Sequence, residues 1–256
     1  MTVDLAVDGS VARLTLNRPD AGNALDPTLA RALADRAAEL EARDDVGAVL
    51  LGAAGQAFCV GGDLRFMREA GDAVDGAVRA LATDFHRALE SLARLDAPVV
   101  VAVNGVAAGG GMSLAIAGDV VIAATSARFT MAYTAAGLSP DGGSTWTLPR
   151  LVGVRRATEL MLLNERLDAQ RALQLGLVNR VVADAELEAT ASALAQSLAA
   201  GPTRAYGEVK RLLRASMTTT LADQLVEEAT TIGRMAGSPD GREGIAAFLE
   251  KRPARF

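Results

Sequence analysis

A single cysteine, a single histidine and two lysines in 256 residues set the first limits. With Cys59 alone, no disulfide can form within the chain, and a reducing compartment, the cytoplasm, is expected. His86 alone cannot supply His/Cys ligand spacing, so no metal site is expected. Positive charge is also short: 26 Lys and Arg against 31 Asp and Glu leave a net charge of −5. A nucleic-acid or anionic-membrane surface would need a concentrated basic face, so neither partner is expected. The opening MTVDLAVDGSVARL lacks the basic-then-apolar order of a secretory signal. The most apolar stretch, from Pro98 to Ala124, is broken by Asn104, the run Gly109–Gly111 and Asp119. It reads as strand, turn, helix and strand, too interrupted to span a membrane.

What is present is ordinary for a globular chain: 50% apolar and 22% charged residues, enough for one sizeable core with a smaller appendage. Val3, Leu5 and Val7, then Asp8-Gly9-Ser10, then Val11, Leu14 and Leu16 predict two short strands about a turn. Asp26-Pro27 opens a helix, with Asp as N-cap and Pro at the first position, and Leu29, Leu33, Ala37 and Leu40 follow at helical spacing. Val46–Leu51 predicts a buried strand, and Val74–Leu95 a long amphipathic helix ending before Pro98. A strand at Val99–Val103, a glycine-rich turn, a helix over Met112–Ala117 and a strand at Val120–Ala123 come next. Strands and helices alternate to Val178–Val182, the α/β signature. From Ala185 only helix is read: Ala185–Ala199, Thr203–Ala215, Leu221–Met235 and Gly241–Glu250. Gly201-Pro202 divides a body, residues 1–200, from a helical region, 201–256, whose amphipathic helices must pack on the body or on another subunit.

Two glycine-rich loops carry the chemical signal. One is Phe58-Cys59-Val60-Gly61-Gly62-Asp63-Leu64, before a helix; the other is Asn104-Gly105-Val106-Ala107-Ala108-Gly109-Gly110-Gly111, where a strand enters a helix. Such loops expose backbone N–H groups, and two of these converging on one point make an oxyanion hole. Either loop alone is most simply a tight turn. Neither carries the spacing of a nucleotide-phosphate cradle, and no nucleophile-elbow G-x-S-x-G appears.

The combination is more specific. Asn17-Arg18-Pro19 with Asn23-Ala24-Leu25, then FCVGGDL, then NGVAAGGG, then Leu138-Ser139-Pro140-Asp141-Gly142-Gly143, in that order, resembles the enoyl-CoA hydratase/isomerase (crotonase) family. The likeness runs on to Gly176-Leu177-Val178 and the closing Phe248-Leu249-Glu250-Lys251-Arg252. The resemblance implies an α/β fold, a crotonase-type spiral of ββα units that binds an acyl-CoA thioester, with C-terminal helices used in trimerisation. A homotrimer or a dimer of trimers is implied, with no cofactor beyond the coenzyme A of the substrate. It also implies an oxyanion hole from the amides of Gly62 and Gly110. Ala24, Ala57, Gly61, Asp63 and Leu64 would shape the path of the coenzyme, and Met131, Tyr133 and Leu138 the pocket. Arg18, Arg65, Lys251 and Arg252 are candidate phosphate partners.

Hydratases of this family activate water with two glutamates; the matching positions here are Ser113 and Tyr133, and neither is a carboxylate. Asp141 sits where isomerase-like relatives, including phenylacetate-pathway enzymes acting on ring-epoxide and unsaturated acyl-CoAs, carry a catalytic aspartate. Pro-Asp-Gly is also a common turn sequence. With Asp141 as proton shuttle, an enoyl-CoA double-bond isomerase is expected; the alternatives are a hydratase using that one carboxylate and a non-catalytic acyl-CoA-binding homologue. Family members that hydrolyse halogenated aroyl-CoAs place a histidine where this chain has Glu90, so that reading loses its base. Glu90 itself is expected on a solvated helix face. His86, Cys59, Phe129 and Trp146 are expected to be structural.

Overall fold

The computed structural model describes residues 1–256. A hairpin opens the chain: β1 (Val3–Asp8) pairs antiparallel with β2 (Val11–Leu16). Helix α1 (Pro27–Glu41) starts as its sequence dictates, with Pro27 at the first position and the Asp26 carboxylate accepting from the Leu29 amide at 2.8 Å. Its apolar stripe, including Leu29, Leu33, Ala37 and Leu40, is buried against the long α3 described below.

From here the chain repeats one move: a strand in a long sheet, a strand in a short sheet, then helix. The first turn is β3 (Ala48–Ala53), β4 (Ala57–Cys59), α2 (Leu64–Glu69) and α3 (Val74–Arg94). The second is β5 (Val99–Val103), β6 (Val106–Ala108) and α4 (Gly110–Ile116). The third is β7 (Val120–Ala124), β8 (Arg128–Thr130), α5 (Ser144–Val152) and α6 (Val154–Leu163). Then β9 (Leu167–Asp168), α7 (Ala169–Gln174) and β10 (Arg180–Val182) close the sheets. Helices α8 (Leu187–Ala199), α9 (Thr203–Ala215), α10 (Leu221–Gly237) and α11 (Pro239–Glu250) end the chain. The long sheet has the order β1-β2-β3-β5-β7-β10, and the short one β4-β6-β8-β9. Beyond the hairpin the long sheet is parallel, as are β4, β6 and β8 in the short one. This is the expected spiral of ββα units with C-terminal helices.

The continuous apolar runs of β3, β5 and β7 follow from cover on both faces. Val49, Leu51, Val101 and Val103 point into the main core, while Leu50, Val100, Ala102 and Ile122 meet Leu187, Ala191 and Ala195 of α8. Several boundaries differ from expectation. The strand expected from Val46 begins at Ala48, α4 begins at Gly110 rather than Met112, and the late strand begins at Arg180 rather than Val178. The short sheet and the helices between Ser144 and Gln174 had no separate signal. No helix is long and apolar enough to cross a membrane.

The last helices leave large apolar side chains in the open, among them Leu213, Leu225, Val226, Ile232, Phe248 and Leu249. Phe248 is 84% exposed.

Candidate active site

Pairing of β4 with β6 sets the two glycine loops side by side. Gly61 turns with φ +93°, and a Cβ there would stand 2.8 Å from the Ala108 carbonyl oxygen. Asp63 then caps α2, accepting from the Arg65 amide at 3.0 Å. Leu25 N donates to Gly61 O and Asp63 N to Leu25 O, so the ladder passes over the Gly62 amide. Gly110 is the first residue of α4, where no intrahelical acceptor exists, and its amide has no loop partner either. Both glycines line one cavity of about 500 Å³ between the loops, α2 and α3.

Apolar side chains make most of that wall, including Leu25, Leu64, Met67, Val78, Leu81 and Leu138. Gly61, Tyr133 and Asp141 line it too. Of the residues expected to touch substrate, Ala24, Ala57, Asp63 and Met131 do not line it. Met131 is a correction: it is 1% exposed and belongs to the main core, offering the site only a carbonyl to the Tyr133 amide at 2.7 Å. Asp63 has a structural task. Burial pushes its carboxyl up, but the Arg18 guanidinium and the Arg65 and Phe66 amides outweigh this and leave it below the ordinary carboxylate value. Arg18 donates to Asp63 at 2.9 Å and to Ala24 O at 3.0 Å, with Asp26 at 3.4 Å, so its guanidinium is already committed. Arg252 is likewise held by Glu243 and Glu250, whereas Arg65 and Lys251 have no carboxylate partner.

Asp141 lies in the loop between β8 and α5. Its Oδ1 accepts from the Tyr133 hydroxyl at 2.6 Å, and that hydroxyl is 3.0 Å from Ser113 Oγ. Ser113, on α4, also reaches Asp141 O at 3.1 Å. Burial, then the charge of Asp141 and its hydrogen bond, push the Tyr133 phenol far up, so it remains a donor. His86 of α3 accepts from the Gly142 amide through Nε2 at 3.1 Å and stands 3.7 Å from Asp141 Oδ2. That contact ties the helix to the Asp141 loop. Glu90 is solvated as expected, near only Arg94 at 3.7 Å. Cys59 is buried, and burial pushes its thiol up to about 12. Phe129 is core, but Trp146 is 46% exposed and stacks on Arg150 at 4.1 Å. No group of His, Cys, Asp and Glu converges as a metal site would require.

The sequence profile described as Enoyl-CoA hydratase/isomerase matches residues 6–256. The chain belongs to the enoyl-CoA hydratase/isomerase family. It is 42% identical over 253 residues to the 1,2-epoxyphenylacetyl-CoA isomerase of Escherichia coli, covering 98% of this chain and 96% of that one. It is 40% identical over 255 residues to a "probable enoyl-CoA hydratase" of Rhodobacter capsulatus, covering 100% of this chain and 97% of the relative. A crystal structure of an enoyl-CoA hydratase from Polaromonas sp. superposes with a TM-score of 0.94 at 35% identity, covering 99% of this chain and 98% of that one. Hydratase and isomerase names thus occur among its relatives at similar identity, and family membership alone does not choose between them.

Proposed function

We propose that the chain is an enoyl-CoA double-bond isomerase. One observation carries the reading: two unpartnered amides and one carboxylate free of arginine, Asp141, share the wall of an otherwise mostly apolar cavity. The other lining carboxylate, Asp75, is held by Arg79 at 2.9 Å. A 3-enoyl thioester seated with its carbonyl oxygen between Gly62 N and Gly110 N presents C2–H to Asp141. Asp141 takes that proton, the electron pair moves onto the thioester oxygen as a dienolate, and the same carboxyl returns the proton to C4, leaving a 2-enoyl thioester. Each amide aimed at the developing charge contributes about 3 kcal/mol. The shuttle needs no bound water.

The coenzyme's phosphates have Arg65 and Lys251 to meet, since Arg18 and Arg252 are spent on carboxylates. The apolar surface of α9–α11 supports a homotrimer or a dimer of trimers, which light scattering would size. With Cys59 as its one thiol the chain suits the cytoplasm.

The test gives purified protein a 3-enoyl-CoA and crotonyl-CoA and follows each by mass and chromatography. Isomerisation of the first without a gain of water on the second is expected. Efficient hydration of crotonyl-CoA would make the chain a hydratase instead. Asp141→Asn should lower turnover by about 10²-fold or more while acyl-CoA still binds; a variant as active as wild type would leave only an acyl-CoA-binding role for Asp141's surroundings.

A further inference from the structure

We infer that Tyr133 is the positioning residue that makes Asp141 a one-oxygen base and keeps water off its other oxygen. This rests on the reading of Asp141 as the proton shuttle. A carboxylate has two acceptor oxygens, and one that serves a C–H bond needs the other held still. The Tyr133 hydroxyl covers Oδ1 at 2.6 Å, a short charge-assisted contact. Its own oxygen is met by Ser113 Oγ at 3.0 Å, a hydroxyl that is 1% exposed and also lies 3.3 Å from Gly109 O. The result is a chain of contacts from Gly109, beside the Gly110 amide, through Ser113 and Tyr133 to Asp141. It holds the base in register with the amide that would hold the thioester oxygen.

The rest of the surroundings leave Oδ2 as the working oxygen. Ser144 Oγ and Ser113 Oγ both point at the Asp141 main-chain carbonyl, not at the carboxylate. His86 Nε2, on α3, is 3.7 Å from Oδ2 and already accepts from Gly142 N. The Asp75–Arg79 pair, also on α3, is the cavity's remaining charge. Tyr133 itself cannot compete as a base, because its phenol stays protonated. Removing its hydroxyl would open Oδ1 on a carboxyl group whose side chain is already 33% exposed, and a water would take the place. That water could exchange the carried proton with solvent, or add to a 2-enoyl product.

The experiment runs wild type and Tyr133→Phe in deuterium oxide with a 3-enoyl-CoA, then recovers substrate and product for mass and NMR. In wild type most of the proton delivered to C4 should come from C2. In Tyr133→Phe the deuterium content should rise about two-fold or more, 3-hydroxyacyl-CoA should appear, and kcat should fall ~10-fold or more with KM changed less. Loss of packing alone would lower kcat without raising either water-derived signal. An unchanged deuterium content with no hydrated product overturns the inference, whatever happens to kcat. Should Tyr133→Phe not fold, Tyr133→Met removes the same hydroxyl from Oδ1, and an unchanged deuterium content there is equally fatal. A wild type that washes deuterium into C2 but makes no isomer would defeat the isomerase reading while leaving the Tyr133 comparison intact. A wild type that does neither would defeat both.

Discussion

Gly111 offers the most exacting test of how the site is built. A Cβ at this position would lie 1.9 Å from the Cys59 carbonyl oxygen, 2.6 Å from its carbon and 2.8 Å from Cys59 Cβ. The first two are backbone atoms and cannot rotate away. Ordinary contact begins at 3.4 Å, so in Gly111→Ala the start of α4 and the end of β4 must part by about 1.5 Å. Cys59 leads through Val60 into the Gly61-Gly62 turn, and Gly111 follows Gly110, so the gap opens between the two amides. A misplacement of about 1 Å in a catalytic constellation costs roughly 10²-fold in rate, and overpacking of this kind costs about 1–3 kcal/mol in stability. The assay pairs kcat/KM on a 3-enoyl-CoA with a thermal melt, and Tm should fall by roughly 3–10 °C. Gly233→Ala is the control: it lies inside α10 with nothing within 4 Å of its would-be Cβ. It should leave activity alone and stabilise by about 0.5–1 kcal/mol. Wild-type activity and Tm in Gly111→Ala would show that the loops do not depend on this approach, and the reasoning would fail.

Three further outcomes are expected. Burial pushes the Glu208 carboxyl up, but Arg211 and Arg234 outweigh this and leave it below its ordinary value. Its folded value is thus below its unfolded one, so its contribution is present at neutral pH and lost as pH falls through the acid range. Glu208→Gln should therefore lower Tm at neutral pH by roughly 2–5 °C and by less in acid, as melts across pH will read. Cys59, buried and with its thiol raised to about 12, should react with iodoacetamide only as fast as the protein unfolds, which mass spectrometry in graded urea will follow. Asp26→Ala removes the α1 cap and should cost about 1 kcal/mol in a denaturant melt; no loss would mean the Leu29 amide finds another acceptor.

Much of the architecture was legible because burial on both faces writes itself as unbroken apolar runs. Val99–Val103 is such a run, and the alternation of its side chains between the main core and α8 leaves no polar position. The short sheet was not legible. Three residues such as Ala57–Cys59 or Val106–Ala108 carry no period, and their extended form is imposed by parallel neighbours. Gly110 and Gly111 read locally as a turn yet sit in a helix, because the Leu25 side chain crowds Gly110 and the Cys59 backbone crowds Gly111, and neither glycine marks a local bend. His86 gave no sign of its place. Its contact with Gly142 joins residues 56 positions apart and exists only because α3 crosses the Asp141 loop. Arg18 looked like a free cation, and only the folded position of Asp63 shows that it is not.

The same geometry explains why motifs so far apart in the chain meet at all. β4, β6 and β8 are neighbours in that order and run parallel, so their carboxyl ends lie along one edge of the short sheet. Each strand hands its continuation to that edge: Val60–Gly62 after β4, Gly109–Gly110 after β6, and the segment from Met131 to Asp141 after β8. Ligand sites of parallel sheets gather beyond the carboxyl ends of the strands for this reason. The order of the three motifs along the chain is therefore the order of three strands in space. Each turn of the spiral contributes one part of the proposed site, first amide, second amide and then acid, and the hydroxyls of Ser113 and Tyr133 bridge the second turn's helix to the third turn's loop. A perturbation of β6 should then disturb the amide and the acid together, whereas a change confined to the loop after β8 should reach the acid alone.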